Sequence, residues 1–360
     1  MSRLILFGLY PPPYGGVAMY VYALSKFLKK FGVNWELKIY GRSSDSNCSG
    51  VKPTFASIFK NFVKVKKGDT CVDSTALFFG DLFVNVVLAW LLIKLLRRFK
   101  WIKIIHDGSL PVRYETFGIV RKSFCRLSIR FVDEFVAVSE DIYFWLRNNM
   151  KVKQKVSLIK SLLPITSNLS NSSLSAEIEE TISRYDKLVC SIGVFIPTYG
   201  FKHIAVAVES LRRESGLNIG LLLIDGSFAV DENYESEVLQ KREWIIVLKN
   251  VPHPQVLEFL KRSHVFVRGC AFESYGLSRV EALWSGTPVV ATRVGETRGM
   301  LLYDFGNEKE LIQQIKRALF HPPTEKIKEW GDYFYKEAND NLMALIRLID
   351  PQRGHFCSIK

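Results

Sequence analysis

At 360 residues the chain exceeds the size at which single cores usually stop growing, so two domains are expected. A composition of 48% hydrophobic and 24% charged residues is ordinary for a globular protein and excludes extensive disorder. The formal charge of +13 is uneven: residues 1–165 hold 26 Lys+Arg against 11 Asp+Glu, a net of +15, and residues 166–360 hold 23 against 25, a net of −2.

Along the chain, Leu4 to Leu9 is an apolar run after Arg3. The apolar run, continued to Tyr10 before Pro11, is short for a signal peptide and lacks a small-residue cleavage site, so it predicts a first buried strand. A Pro/Gly loop containing Gly15 and Gly16 follows, then a helix from about Val17 to Phe31. Phe55, Ile58, Phe59, Phe62 and Val63 fall at i, i+3, i+4, i+7 and i+8, with Lys60, Lys64 and Lys67 beside them. Such a helix can lie in a lipid interface, or pack its phenylalanines inward and leave a solvated lysine face. Leu82 to Leu96 is the most hydrophobic segment, but Asn85 and Lys94 interrupt it. A membrane span needs about 20 apolar residues, so a buried helix is predicted and the protein is not expected to be integral. Trp101 to Ile105 predicts a strand ending at His106-Asp107-Gly108. Lys122, Arg126 and Arg130, each four apart, make a second basic stripe, and Phe135 to Val138 is another strand.

The stretch from Thr166 to Asp186 is polar and rich in Ser, Asn and Glu, and is the linker candidate. Short apolar runs resume at Leu188 to Val194, Ile219 to Ile224, Trp244 to Val251, Val265 to Val267 and Val289 to Thr292, with helical segments between them. Strands interleaved with helices imply βαβ units and parallel sheets. The expectation is an α/β chain of two tandem Rossmann-like doubly wound domains facing across a cleft. The domains would be 1–165, a linker 166–186, and 187–324, with a helix and tail over 325–360 packing back towards the first domain. The six cysteines show neither C-x-x-C spacing nor clustering with histidines, so a disulfide framework or structural zinc is not expected and a reducing compartment fits.

The densest motif is F-E-S-Y-G-L-S-R-V-E-A-L-W-S-G-T-P-V-V-A-T, from Phe272 to Thr292. Gly276 opens a helix, Gly286 ends it, and a β-branched strand follows Pro288. A glycine loop feeding a helix N-terminus presents unpaired N–H groups to a diphosphate. Glu273 and Glu281 flank it, and carboxylates are good acceptors for sugar and ribose hydroxyls. Ser278 with Glu281 also reads as a capping box. This stretch resembles the E-x7-E signature of the retaining GT-B glycosyltransferases of family 4. Pro12 to Gly16, His106, Val138 to Glu140 and the strand at Trp244 to Val251 fall in the order that family shows. The resemblance implies that Glu273 contacts the donor sugar, that the amides of Tyr275, Gly276, Leu277 and Ser278 hold its phosphates, and that Glu281 binds the ribose. It implies that the Gly15-Gly16 loop lies near the donor diphosphate and acceptor, and His106 near the transferred sugar. One departure stands out. Family members carry G-R-x and then K-G after the first strand of the second domain, where this chain has Gly193-Val194-Phe195 and Tyr199-Gly200. Lys202 and Arg268 are the candidates to replace the two missing charges.

The expected function is transfer of a sugar from a nucleoside-diphosphate sugar to a glycan or polyprenyl-diphosphate-linked acceptor in surface polysaccharide biosynthesis. The resemblance implies retention of configuration, with no metal and no cofactor beyond the nucleotide-sugar substrate. The basic first half suggests an anionic membrane surface, with Phe59, Lys60, Phe62, Lys64 and Lys67 as candidate contacts. No nucleic-acid partner is expected, since no recognition module or base-stacking motif occurs. The expected location is cytoplasmic, peripheral on the inner face of the plasma membrane. A catalytically degenerate scaffold and a nucleotide-sugar epimerase are the alternatives.

Overall fold

The structure, a computed structural model, describes residues 3–11, 14–30, 35–40, 49–51, 55–75, 83–160, 174–226 and 231–350. The chain divides into two compact units, Met1–Pro12 with Gly16–Ile165 and Ala338–Lys360, and Pro13–Gly15 with Thr166–Glu337.

The strands of the first unit are β1 (Leu4–Gly8), β2 (Trp35–Tyr40), β3 (Ser49–Val51), β4 (Thr70–Asp73), β5 (Lys100–Ile105), β6 (Glu134–Ala137) and β7 (Lys155–Leu158). All pair in parallel, in the order β3-β2-β1-β4-β5-β6-β7. Helices α1 (Gly16–Lys30), α2 (Phe55–Phe62), α3 (Phe83–Arg97), α4 (Leu110–Glu115), α5 (Ile119–Ile129) and α6 (Glu140–Phe144) connect them. A parallel strand covered on both faces needs an unbroken apolar run, and β1 supplies one with every residue buried. β5 breaks that rule at Lys103, whose ammonium lies 2.9 Å from Asp73 of β4, with both side chains nearly inaccessible. A buried cation is tolerated in a strand only with such a partner.

The second unit carries β8 (Lys187–Gly193), β9 (Ile219–Asp225), β10 (Ile245–Lys249), β11 (Val265–Arg268), β12 (Val289–Thr292) and β13 (Leu301–Tyr303). These are again parallel, in the order β10-β9-β8-β11-β12-β13. Its helices are α7 (Ala176–Ser183), α8 (Phe201–Ser215), α9 (Glu232–Leu239), α10 (His253–Arg262), α11 (Leu277–Trp284), α12 (Glu308–Phe320) and the start of α13 (Thr324–Ile349). The last turns of α13 supply Leu342, Leu345 and Ile346 to the core of the first unit. Strand order reverses between β1 and β4 in one sheet and between β8 and β11 in the other. Open parallel sheets hold ligands outside the carboxyl ends of strands at such points.

Three expectations need correction. The phenylalanine face of α2 is not a surface. Phe62 is fully buried, its ring 5.0 Å from Phe7 and 4.6 Å from Trp90, and Phe59 packs against the same core. Aromatic edges bury more area against one another than against a lysine-rimmed solvent face, so only Lys60, Lys64 and Lys67 stay outside. Of the segment Leu82–Leu96, the described residues belong to α3 (Phe83–Arg97), but that helix is not wholly buried, since Leu88, Leu92, Leu95 and Leu96 are exposed. The linker candidate is partly ordered: residues 176–183 form α7, capped by the Ser175 hydroxyl, which accepts from the Ile178 amide. Residues 166–173 and the tail 351–360 lie outside the described residues. Among the described residues no helix is long and apolar enough to cross a membrane.

Phe62→Ala should cost about 3–5 kcal/mol of stability, the usual cost of emptying an aromatic core position. Urea unfolding measures it, and a loss under about 1 kcal/mol would put the ring back on the surface.

Candidate active site

At the switch point of the second sheet, β8 ends at Gly193 and β11 at Arg268. The chain leaves β8 through a 3-10 turn, Pro197–Tyr199, and enters α8 at Gly200, which has φ 70°. A side chain there would meet the carbonyl oxygen of Gly269 at 2.1 Å, so the two loops can pass only because the position is glycine. Arg268 turns back over this junction. Its Nε donates to Glu273 Oε2 at 2.9 Å, a second guanidinium nitrogen reaches the same oxygen at 2.9 Å, and a third donates to the Ile192 carbonyl. The guanidinium also lies 4.9 Å above the Tyr199 ring.

Glu273 is thereby held as a carboxylate. Burial raises its pKa, but the charges of Arg268 and Arg279 and hydrogen bonds from Arg268 and Cys270 outweigh burial, and the net shift is downward. Arg279, which the sequence reading passed over, is wholly buried. Its guanidinium donates to the carbonyls of Thr292, Val294 and Glu296 and to Thr292 Oγ1, tying α11 to the exit of β12. Gly295, with φ 70°, lets that exit loop approach Glu273 closely.

Gly276 caps α11 in the left-handed region at φ 86°, without a side-chain cap. Among the described residues the amides of Tyr275, Gly276, Leu277 and Ser278 have no acceptor, so four donors stand open beside the Arg268–Glu273 pair. Ser278 lies inside the first turn, and Glu281 does not reach back to it as a capping box would. Instead Glu281 Oε1 sits 2.6 Å from His253 Nε2, with both groups buried. His253 starts α10, and no local pattern links it to a residue 28 positions away. Tyr275 is fixed from its far end, its hydroxyl donating to Glu337 at 3.2 Å. Lys202 is not brought to this cluster: its ammonium is half exposed and pairs with Glu237 at 2.7 Å. Of the two candidates for the missing charges, Arg268 lies at this junction and Lys202 lies away from it.

In the first unit His106 follows β5, and its Nε2 lies 2.6 Å from Ser74 Oγ beyond the end of β4. Its ring meets the edge of Tyr20 at 4.7 Å. Burial, and secondarily the charge of Lys103, push its pKa down to about 3, so it is a neutral hydrogen-bonding group. Lys103 braces the same edge, donating to the Thr75 carbonyl. Gly15 precedes α1 and Gly16 begins it, and a side chain at either would meet nothing within 4 Å. Packing inside the protein therefore does not require glycine there. Among the described residues no three His, Cys, Asp or Glu side chains converge as a metal site would need.

A depressed histidine pKa favours the native state while the ring is neutral. His106 thus contributes stability above its ordinary value of 6.5, and this is lost as pH falls towards about 3. Glu273, also depressed, contributes above its ordinary 4.5 and loses that contribution as pH falls further. Urea midpoints followed from neutral to acid pH should fall less steeply for His106→Gln than for wild type. Identical slopes would show that the ring is not held neutral by its surroundings.

Comparisons with known proteins agree with this layout. Residues 176–336 match the family described as glycosyl transferases group 1. No curated protein matches the sequence. Among solved structures, sucrose-phosphate synthase from Thermosynechococcus elongatus is similar with a TM-score of 0.69 at 18% identity, covering 99% of this chain and 98% of that one. Anabaena HepE in complex with UDP-glucose reaches 0.73 at 14% identity, covering 99% and 100%. A UDP-forming trehalose-phosphate synthase from Burkholderia xenovorans reaches 0.69 at 13% identity, covering 100% of both. At such identities the likeness is one of fold. The chain has the GT-B fold, and its second unit matches the family of group 1 glycosyl transferases.

Proposed function

We propose that the protein transfers a sugar from a nucleoside-diphosphate sugar to a glycan or lipid-linked acceptor, with retention of configuration, in building a surface polysaccharide. The observation that carries this reading is the cluster at the β8/β11 switch point: four open amides, a buried arginine–carboxylate pair and a second carboxylate on one loop-helix unit. The amides of Tyr275 to Ser278 and the guanidinium of Arg268 would hold the diphosphate, whose charge grows as it leaves. Glu273 would hold donor-sugar hydroxyls, and Glu281, oriented by His253, the ribose. His106, neutral, suits a hydrogen bond to the transferred sugar better than proton donation. The Gly15-Gly16 loop gives room for a ligand to approach backbone amides.

In the reaction the bond from the anomeric carbon to the diphosphate oxygen breaks, and the acceptor oxygen bonds to the same face. The acceptor proton passes to the departing phosphate, so no enzymic nucleophile is assigned. The scaffold alternative drew on the missing basic pair. Arg268 supplies a cation at that junction from the neighbouring strand, which removes its main support. Because HepE was solved with UDP-glucose, uridine is the first base to try.

The test is a thermal-shift panel of UDP-, GDP-, ADP-, TDP- and CMP-sugars on wild type, Glu281→Ala and Glu273→Gln. One base should stabilise wild type, by about 2.7 kcal/mol at a hundredfold excess over Kd, and should fail to stabilise Glu281→Ala. Glu273→Gln should still bind nucleotide while transfer to acceptor falls on the order of 100-fold or more. No shift with any nucleotide would sink the reading. An earlier-melting Glu281→Ala that still responds fully would make that residue structural.

A further inference from the structure

α3 presents two faces. Trp90, Leu91 and Ile93 enter the core, whereas Leu88, Leu92, Leu95 and Leu96 recur at i, i+4, i+7 and i+8 and are 40–62% exposed. α5 packs beside α3 and adds Ile119 and Val120, exposed by 85% and 76%, and Leu127. Single exposed apolar residues are ordinary, but a row of them on two adjacent helices marks an interaction surface.

Among the described residues the unpaired charges around this row are basic. Arg97 ends α3 and Arg98 follows it, Arg126 lies on α5 and Arg130 caps its end; all four are exposed. Among the described residues none of these four side chains has an ion-pair or hydrogen-bond partner. At the foot of α3 an open depression of about 740 Å³ is lined by Lys67, Lys94, Arg98, Lys100, Leu95 and Asp133, among others. Lys94 is committed to Asp133 and the Phe99 carbonyl, and Lys100 donates to the Leu348 carbonyl at 3.2 Å. Lys67 and Arg98 are left to meet an anion. The nearby acids are already matched, Asp133 by Lys94, Glu134 by Lys100 at 3.6 Å and Glu115 by Lys122 at 3.1 Å. The depression lies at the amino ends of β4, β5 and β6, the opposite edge of that sheet from Ser74 and His106.

We propose that the α3–α5 face docks the protein on a membrane surface rich in anionic phospholipid. The leucines enter the boundary between headgroups and acyl chains, and the arginines and the basic depression hold headgroup phosphates. Two copies of this chain would bring like charges together on the same face, which opposes self-association there. Nucleic acid would call for exposed stacking aromatics, and the row is aliphatic. The surface differs from the α2 face suggested by sequence, and it does not depend on the transferase reading, because lipid binding is measured without substrate.

The experiment is co-sedimentation of the full-length protein with phosphatidylcholine vesicles, with and without phosphatidylglycerol. Wild type should bind only the anionic vesicles, less tightly as salt rises. Leu95→Glu with Leu96→Glu should weaken binding at least tenfold, and Arg98→Gln and Arg126→Gln about fivefold each. Lys60→Gln with Lys64→Gln should leave it within about twofold. Circular dichroism melts confirm that the variants fold, and the arginine variants carry the test if the leucine pair does not. Wild type that ignores anionic vesicles, equal binding to neutral ones, or variants that bind like wild type would overturn the proposal. So would a wild-type dimer in gel filtration that the leucine changes dissociate without any lipid binding.

Discussion

A carboxylate and a guanidinium meet at 2.9 Å where strand order reverses in the second sheet, each only 13% exposed. Neither ion would be tolerated there alone, since burying an uncompensated charge costs several kcal/mol, about 3–5 when one partner is removed. The surrounding structure follows from that constraint. Tyr199 lies beneath the guanidinium, Gly200 and Gly295 give the loops room, and Arg279 adds a second positive charge behind the carboxylate. The open amides at the start of α11 stand beside a preformed polar pair, so a ligand bringing hydroxyls and phosphates meets groups already oriented.

The first unit repeats the device with different residues. Lys103 and Asp73 form a buried pair at the carboxyl ends of neighbouring strands, and Asp73 also accepts from the amide and hydroxyl of Thr75. Ser74, between them, meets His106. Both sheets thus place fixed charge at the edge where parallel strands keep their ligands, and both surround it with apolar side chains that exclude water and strengthen the interactions. His106 is affected accordingly: burial keeps it neutral, which sets its role as a hydrogen-bonding group.

Aromatic packing decides the outer surface of this unit. Phe7, Phe62, Trp90 and Trp101 form one chain of rings, with Trp90 stacked on Trp101 at 4.8 Å. That chain pulls α2 inward by its phenylalanines and turns one face of α3 to the core. The opposite face of α3, with its leucines, is left outside. The excess positive charge of the first half then borders exposed aliphatic side chains on α3 and α5, while Phe59 and Phe62 of the α2 stripe pack against the core.

Much of the plan was legible in the sequence. The two series of apolar runs announced two parallel sheets, since strands buried on both faces must be continuously hydrophobic. The motif from Glu273 to Glu281 could be read because loop, cap and helix are contiguous, and a glycine that opens a helix has a local conformational cause. Strands such as β4 and β13 escaped notice, being three or four residues long with too little pattern to register. Periodicity showed that α2 was amphipathic, but it could not say whether its apolar side met protein or lipid, because both media select the same spacing. Partner choice was equally hidden. That Glu281 meets His253, that Lys202 turns to Glu237, and that Arg268 covers the junction left uncharged at Val194 and Tyr199 depend on strand order and helix placement. Sequence by itself determined most of the strands and helices and the glycine loop that opens α11, because those follow from local pattern. Only the tertiary structure decided which charges face one another and which apolar faces are covered, because these depend on groups distant in the chain and brought together by the fold.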